Sequence, residues 1–140
     1  MERHSENALK VATHLEGHPA IDWVSYAGLK SSKYFALRKR YMPKGAGGVF
    51  TFGLKGGYDA GVALVDRCEL LSHLANIGDT RSLILHPAST THRQLTEEQL
   101  KSAGAGPEVI RISIGIETVE DVINDLNQAL AGLETAQAAE

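Results

Sequence analysis

Arg111 is the residue whose setting most invites chemistry. The stretch Val109 to Glu117 reads VIRISIGIE, and strict alternation sets Ile110, Ile112, Ile114 and Ile116 on one face of a strand and Val109, Arg111, Ser113 and Gly115 on the other. A guanidinium held between β-branched neighbours offers a planar, bidentate grip for a carboxylate or phosphate. The same placement suits an internal ion pair with a nearby Asp or Glu. The strand alone leaves both readings open.

Loops and strand ends supply further polar groups: Asn76, Ser82, His86, Ser89, Thr90, Thr91 and His92. Hydroxyls and amides beside one arginine suit the reading of a small carboxylate better than a reaction, because no base is paired with a nucleophile. Ordinary turn chemistry, with Ser89 and Thr90 bonding local backbone, explains them equally well. No catalytic residue is assigned. His4, His14, His18, His73, His86 and His92 spell neither the His-Glu-x-x-His helical motif nor a finger spacing, so no metal is expected. No Gly-x-Ser-x-Gly elbow exposes a serine. Lys44 to Gly48 is glycine-rich, but it leads into a strand and lacks the Lys-Ser/Thr ending of a phosphate loop.

The elements that must position these groups follow from periodicity and caps. Ala8, Val11, Ala12 and Leu15 predict a helix over Glu2 to Glu16, stopped by Gly17 and Pro19. A helix that starts uncapped at the first residue suggests a chain cut from something longer. Strands are expected at Ile21 to Tyr26, Val49 to Leu54, Ser82 to His86 and Val109 onward. Helices are expected at Ser32 to Tyr41, at Ala60 to Ala75 with Asp59 as cap, at Thr96 to Ala103 behind a capping box, and after Thr118. Leu64, Cys68, Leu71 and Ala75 form the inward stripe of the second of these. Cys68 therefore reads as a small buried hydrophobe rather than a nucleophile.

This alternation spells an α/β domain of about four strands with helices on one face, over residues 1–131. Parallel and antiparallel pairing both remain open. A frayed tail is expected over 132–140, which is rich in Ala, Gln and Glu. A net charge of −3 on 140 residues gives no reason to expect nucleic acid, and Arg38-Lys39-Arg40 is too short a basic run to argue one. One cysteine, no signal core and no apolar run near the ~18–20 residues of a membrane span point to the cytoplasm, with no membrane partner.

With Asn76-Ile77-Gly78-Asp79, RSLILHPASTTH at Arg81 to His92 and RISIGIE at Arg111 to Glu117, the chain resembles the C-terminal domain of the Cys/Met-metabolism pyridoxal-phosphate enzymes, on the O-acetylhomoserine sulfhydrylase side. The likeness runs from Glu2-Arg3-His4 through Tyr26-Ala27-Gly28-Leu29 and Gly48 to Phe52 into the last helix. Where the family carries Tyr-Pro-Gly-Leu this chain has Ala27, a change expected to touch loop stiffness more than chemistry.

The resemblance implies the small domain of a fold-type I enzyme. Arg111 would grip the substrate α-carboxylate and Thr91 would support it. Asn76 stands where the family's cystathionine synthases and lyases usually carry serine, and the asparagine form is similar to the sulfhydrylase branch. The implied reaction is O-acetylhomoserine plus sulfide giving homocysteine and acetate, a transferase step of methionine biosynthesis. Pyridoxal phosphate is the cofactor of the complete enzyme, but the cofactor domain, with its Schiff-base lysine, is missing. Ser31-Ser32-Lys33-Tyr34 only superficially resembles the family's lysine motif, so no covalent cofactor is expected on this chain. The chain is then inactive alone, with a cofactor-binding domain or subunit, a small amino-acid substrate and a homo-oligomer as its partners. The alternative is a free-standing, non-catalytic binding or oligomerisation module derived from that domain.

Overall fold

A computed structural model describes residues 1–137. In chain order the elements are α1 (Glu2–Glu16), β1 (Ile21–Ser25), α2 (Phe35–Tyr41), β2 (Val49–Leu54), α3 (Gly57–Arg67), β3 (Ser72–His73), β4 (Leu83–Leu85), α4 (Glu97–Ser102), β5 (Val109–Ser113) and α5 (Val119–Gln137). A single 3₁₀ turn, Pro87–Ser89, follows β4. The strands form one five-stranded sheet in the order β1-β2-β5-β4-β3, antiparallel except for β3 beside β4. β5 is its centre. Alternating β-branched residues explain this place, since Ile110, Ile112 and Ile114 are all fully buried under the helices.

One helical layer covers that face. Ala8, Val11, Ala12 and Leu15 of α1, Leu64 and Val65 of α3, and Val122, Leu126 and Leu130 of α5 meet Phe50, Phe52 and Ile84 from the sheet in one continuous core. The turn after β1 is built by packing: the Tyr26 hydroxyl donates to the Gly47 carbonyl at 2.7 Å, and a Cβ at Gly28 would clash with the edge of the Tyr26 ring. Burial, partly offset by Arg38, pushes the Tyr26 hydroxyl up to about 12.

Several sequence expectations need correction. α3 spans Gly57–Arg67 rather than Ala60 to Ala75, with Gly56 in the left-handed region (φ +97°) at its N-cap and Asp59 inside the first turn. The helix stops because Asp125 of α5 accepts the backbone N–H groups of Glu69, Leu70 and Leu71 at 2.9–3.0 Å, which bends the chain out of helical geometry. Cys68 is thus the extended C-cap, still packed on the core, while Leu71 is buried from a loop and Ala75 is exposed. Ile116 does not continue the isoleucine face: β5 ends at Ser113 and Ile116 is 45% exposed. α2 starts at Phe35 and buries none of its residues. α5 runs to Gln137, and the end of the tail expected to fray, 138–140, lies outside the described residues.

Candidate functional site

Arg111 leaves β5 on the face of the sheet away from the core helices. It sits opposite Thr51 on β2 and Leu85 on β4, and it is partly buried. Its Nη2 donates to the backbone carbonyl of Asn76 at 3.4 Å. Among the described residues no carboxylate lies within ion-pair distance of it, so the internal ion pair left open by the strand pattern does not form. A cation beside β-branched and aliphatic neighbours, with most of its donors unspent, is ready for an external anion.

The other expected groups are placed unevenly. Asn76 is exposed and reaches Arg111 through its carbonyl, while its side-chain oxygen accepts the N–H of Ile77 at 2.9 Å, as an Asx turn does. The Thr91 hydroxyl pairs with Nδ1 of His92 at 2.8 Å, and no described contact joins it to Arg111. The segment carrying Thr91 is nonetheless tightly built. Thr90 Oγ1 donates to the His86 carbonyl at 2.7 Å and the His92 N–H to the Pro87 carbonyl at 2.9 Å. His86 is fully buried, its Nε2–H donating to the Pro107 carbonyl at 2.8 Å and its Nδ1 meeting the Ser89 hydroxyl at 2.9 Å. Both ring nitrogens are therefore occupied within the fold. Among the described residues no three His, Cys, Asp or Glu side chains converge as a metal site.

Glu117 and Asn7, which the sequence did not single out, hold the other end of the turn through Ser82, which it did. The Glu117 carboxylate accepts from the backbone N–H of Ser82 and, at 2.9 Å, from its hydroxyl. Ser82 Oγ in turn accepts the Gly115 N–H at 2.9 Å, and Asn7 of α1 donates to the carbonyls of Gly115 and Glu117 at 3.3 and 2.9 Å. A glutamate four residues past the end of β5 and a serine immediately before β4 are the trace of this in the sequence. Cys68 is set apart from the site, its thiol pushed up to about 12 by burial and, second, by the Asp125 charge.

The fold is an α/β domain whose outer sheet face carries a partly buried arginine with no carboxylate partner among the described residues. The family model for Cys/Met metabolism PLP-dependent enzymes matches residues 1–131, and the chain belongs to that family. It is 48% identical over 134 residues to an O-acetyl-L-homoserine sulfhydrylase of Leptospira meyeri, an alignment that takes in 95% of this chain and 30% of that protein. Against a homocysteine synthase of Schizosaccharomyces pombe the identity is 48% over 93% of this chain and 30% of that protein. A 2.35 Å crystal structure from Campylobacter jejuni, described as an O-acetylhomoserine (thiol)-lyase carrying a pyridoxyl-lysine monophosphate, superposes with a TM-score of 0.86 at 46% identity. That match covers 93% of this chain and 31% of the other. The chain thus spans about 30% of the length of the relatives it matches.

The family depends on pyridoxal phosphate, and the residues present do not fit a seat for it. A Schiff base needs a lysine inside a pocket, beside groups that hold the phosphate and the ring. All seven lysines here are exposed, and Lys33 lies on the surface with Nζ over the Tyr34 ring, 5.0 Å from its centre. No helix among the described residues is long and apolar enough to cross a membrane.

Proposed function

We propose that this chain is the C-terminal, substrate-side part of an O-acetylhomoserine sulfhydrylase-like enzyme, in which Arg111 grips the α-carboxylate of the amino-acid substrate. The observation that carries the reading is the guanidinium on the outer sheet face, steadied by the Asn76 carbonyl and lacking any carboxylate partner among the described residues. The high identity to sulfhydrylases over nearly the whole chain supports O-acetylhomoserine and sulfide as substrates, with homocysteine and acetate as products. Asn76 borders the carboxylate position through its backbone, and Thr91 supports the same region from the segment after the 3₁₀ turn. The cofactor and the reacting lysine belong to the remaining two thirds of the family's length, supplied by the same polypeptide or by a separate subunit. The complete enzyme is cytoplasmic and a homo-oligomer. This domain orients substrate and performs no bond-making alone.

In the enzyme assembled with its cofactor part, Arg111→Ala is expected to lower kcat/KM by about 1.5–3 kcal/mol, roughly tenfold to a hundredfold, the scale of a hydrogen bond to a charged group. An unchanged specificity constant sinks the assignment. One observation favours the second reading, a free-standing interaction module: α2 buries nothing, and Tyr34, Leu37, Tyr41 and Met42 are 45–68% exposed. Full activity on mixing or joining the chain with a cofactor domain rules that module out.

A further inference from the structure

Arg111 depends on a turn that it does not itself hold. Between β3 and β4 the chain passes through Asn76 and Gly78, the latter in the left-handed region at φ +75°. Its near end offers the Asn76 carbonyl to Arg111. Its far end is fastened by a network with no part in the reading above.

Glu117 is the hub of that network. Its two carboxylate oxygens take the N–H and the hydroxyl of Ser82, a residue with no exposed surface. Through Ser82 Oγ the network reaches the Gly115 N–H, and the Ile116 N–H donates to the Thr80 carbonyl at 2.9 Å. The approach is so close that a Cβ on Gly115 would lie 2.6 Å from the backbone carbon of Arg81. From α1, Nε2–H of His4 donates to the Asp79 carbonyl at 3.1 Å. Residues 79–82 and 115–117 are therefore tied together by these bonds. The remaining contact, Arg111 to Asn76 at 3.4 Å, is near the limit of hydrogen-bond reach, where a displacement of a few tenths of an ångström decides its strength.

We propose that Glu117 is a positioning residue for the carboxylate grip: by locking Ser82 it fixes the turn whose Asn76 carbonyl aims Arg111, and so it sets substrate affinity. This rests on the reading of Arg111 given above. No described contact joins Glu117 to Arg111, so its effect passes through the turn. Glu117 touches neither the reacting atoms nor a proton in transit, and its removal belongs in KM rather than kcat.

The test is steady-state kinetics of the assembled enzyme. Glu117→Ala is expected to raise KM for the amino-acid substrate about tenfold, the effect of one displaced bond to a charged group. Its kcat should change less than about twofold. Glu117→Gln keeps one oxygen for the Ser82 N–H and should return KM most of the way. A folded Glu117→Ala with unmoved KM overturns the inference, as does a loss confined to kcat. If that variant does not fold, Ser82→Ala, which removes only the hydroxyl, decides in its place: KM rises about threefold, or the inference fails. Arg111→Lys measured alongside separates the two claims. An unmoved KM there overturns the carboxylate reading itself, whereas a raised KM with Glu117→Ala unaffected overturns only the role of Glu117.

Discussion

Gly61 shows how one missing side chain supports the segment that carries Thr91. It lies in α3 beneath the His86 ring, and a Cβ there would stand 2.6 Å from Cδ2 and 2.7 Å from Nε2. The ring has nowhere to withdraw, because Pro107 and Ser89 engage its two nitrogens. Helix propensity alone would make Gly61→Ala stabilising by roughly 0.5–1 kcal/mol. Forced overlap in a packed site costs about 1–3 kcal/mol. The clash is expected to win, leaving the variant less stable by about 1–2 kcal/mol in urea denaturation. A higher midpoint than the parent's would show that the His86 seat is loose. At this scale the sequence told part of the story. An arginine between isoleucines announced its own face, because strand alternation is a local rule. That Asn76 would meet Arg111 through its carbonyl rather than its amide was not legible, since the side chain is drawn into an Asx turn with Ile77.

The elements α1, β1, β2 and β5 were readable because each carries its own apolar period and its own stop, such as Gly17 after α1. β3 was not, since two residues hold no period. Nor was the end of α3, which is dictated by a carboxylate more than fifty residues further along the chain. Asp125 draws together the N–H groups of Glu69, Leu70 and Leu71, and Gln128 donates to the same carboxylate at 3.0 Å. Burial by itself would raise the Asp125 pKa, but these hydrogen bonds outweigh it and hold the group below the ordinary aspartate value of 3.8. Asp125→Ala leaves three N–H groups without their acceptor, that of Leu71 buried and those of Glu69 and Leu70 partly so, and is expected to cost about 3 kcal/mol. The sign of the pH effect follows from linkage: the unfolded chain takes up the proton first as pH falls. The contribution is therefore whole above the unfolded value and is lost as pH drops through the lower folded one. The gap in urea midpoint between parent and Asp125→Ala should be constant from about pH 8 to pH 5 and should narrow as pH falls below the ordinary aspartate value of 3.8. A gap unaffected by acid would mean that the carboxylate charge is not what closes α3.

Across the whole molecule, the question is what a domain of this family can do with about 30% of its relatives' length. Its core is complete, with α1, α3 and α5 closing one side of the sheet. The other side presents Arg111, and α2 presents Tyr34, Leu37, Tyr41 and Met42 beside exposed Lys33, Lys39 and Arg40. These are exposed cationic and apolar surfaces. None surrounds a lysine. Pyridoxal phosphate in solution forms reversible imines with any accessible amine, so exposure alone produces labelling, whereas a built seat produces stoichiometry and selectivity. Incubation of the 140-residue chain with the aldehyde, reduction by borohydride and peptide mapping should therefore find scattered, substoichiometric adducts over the seven exposed lysines. Addition of the cofactor-bearing part should leave that pattern on this chain unchanged or weaker while activity appears, as the proposed function requires of a reacting lysine outside it. A single stoichiometric adduct at Lys33 would require a pocket around a side chain that now lies over the Tyr34 ring at the surface, and it would make this chain a cofactor binder in its own right.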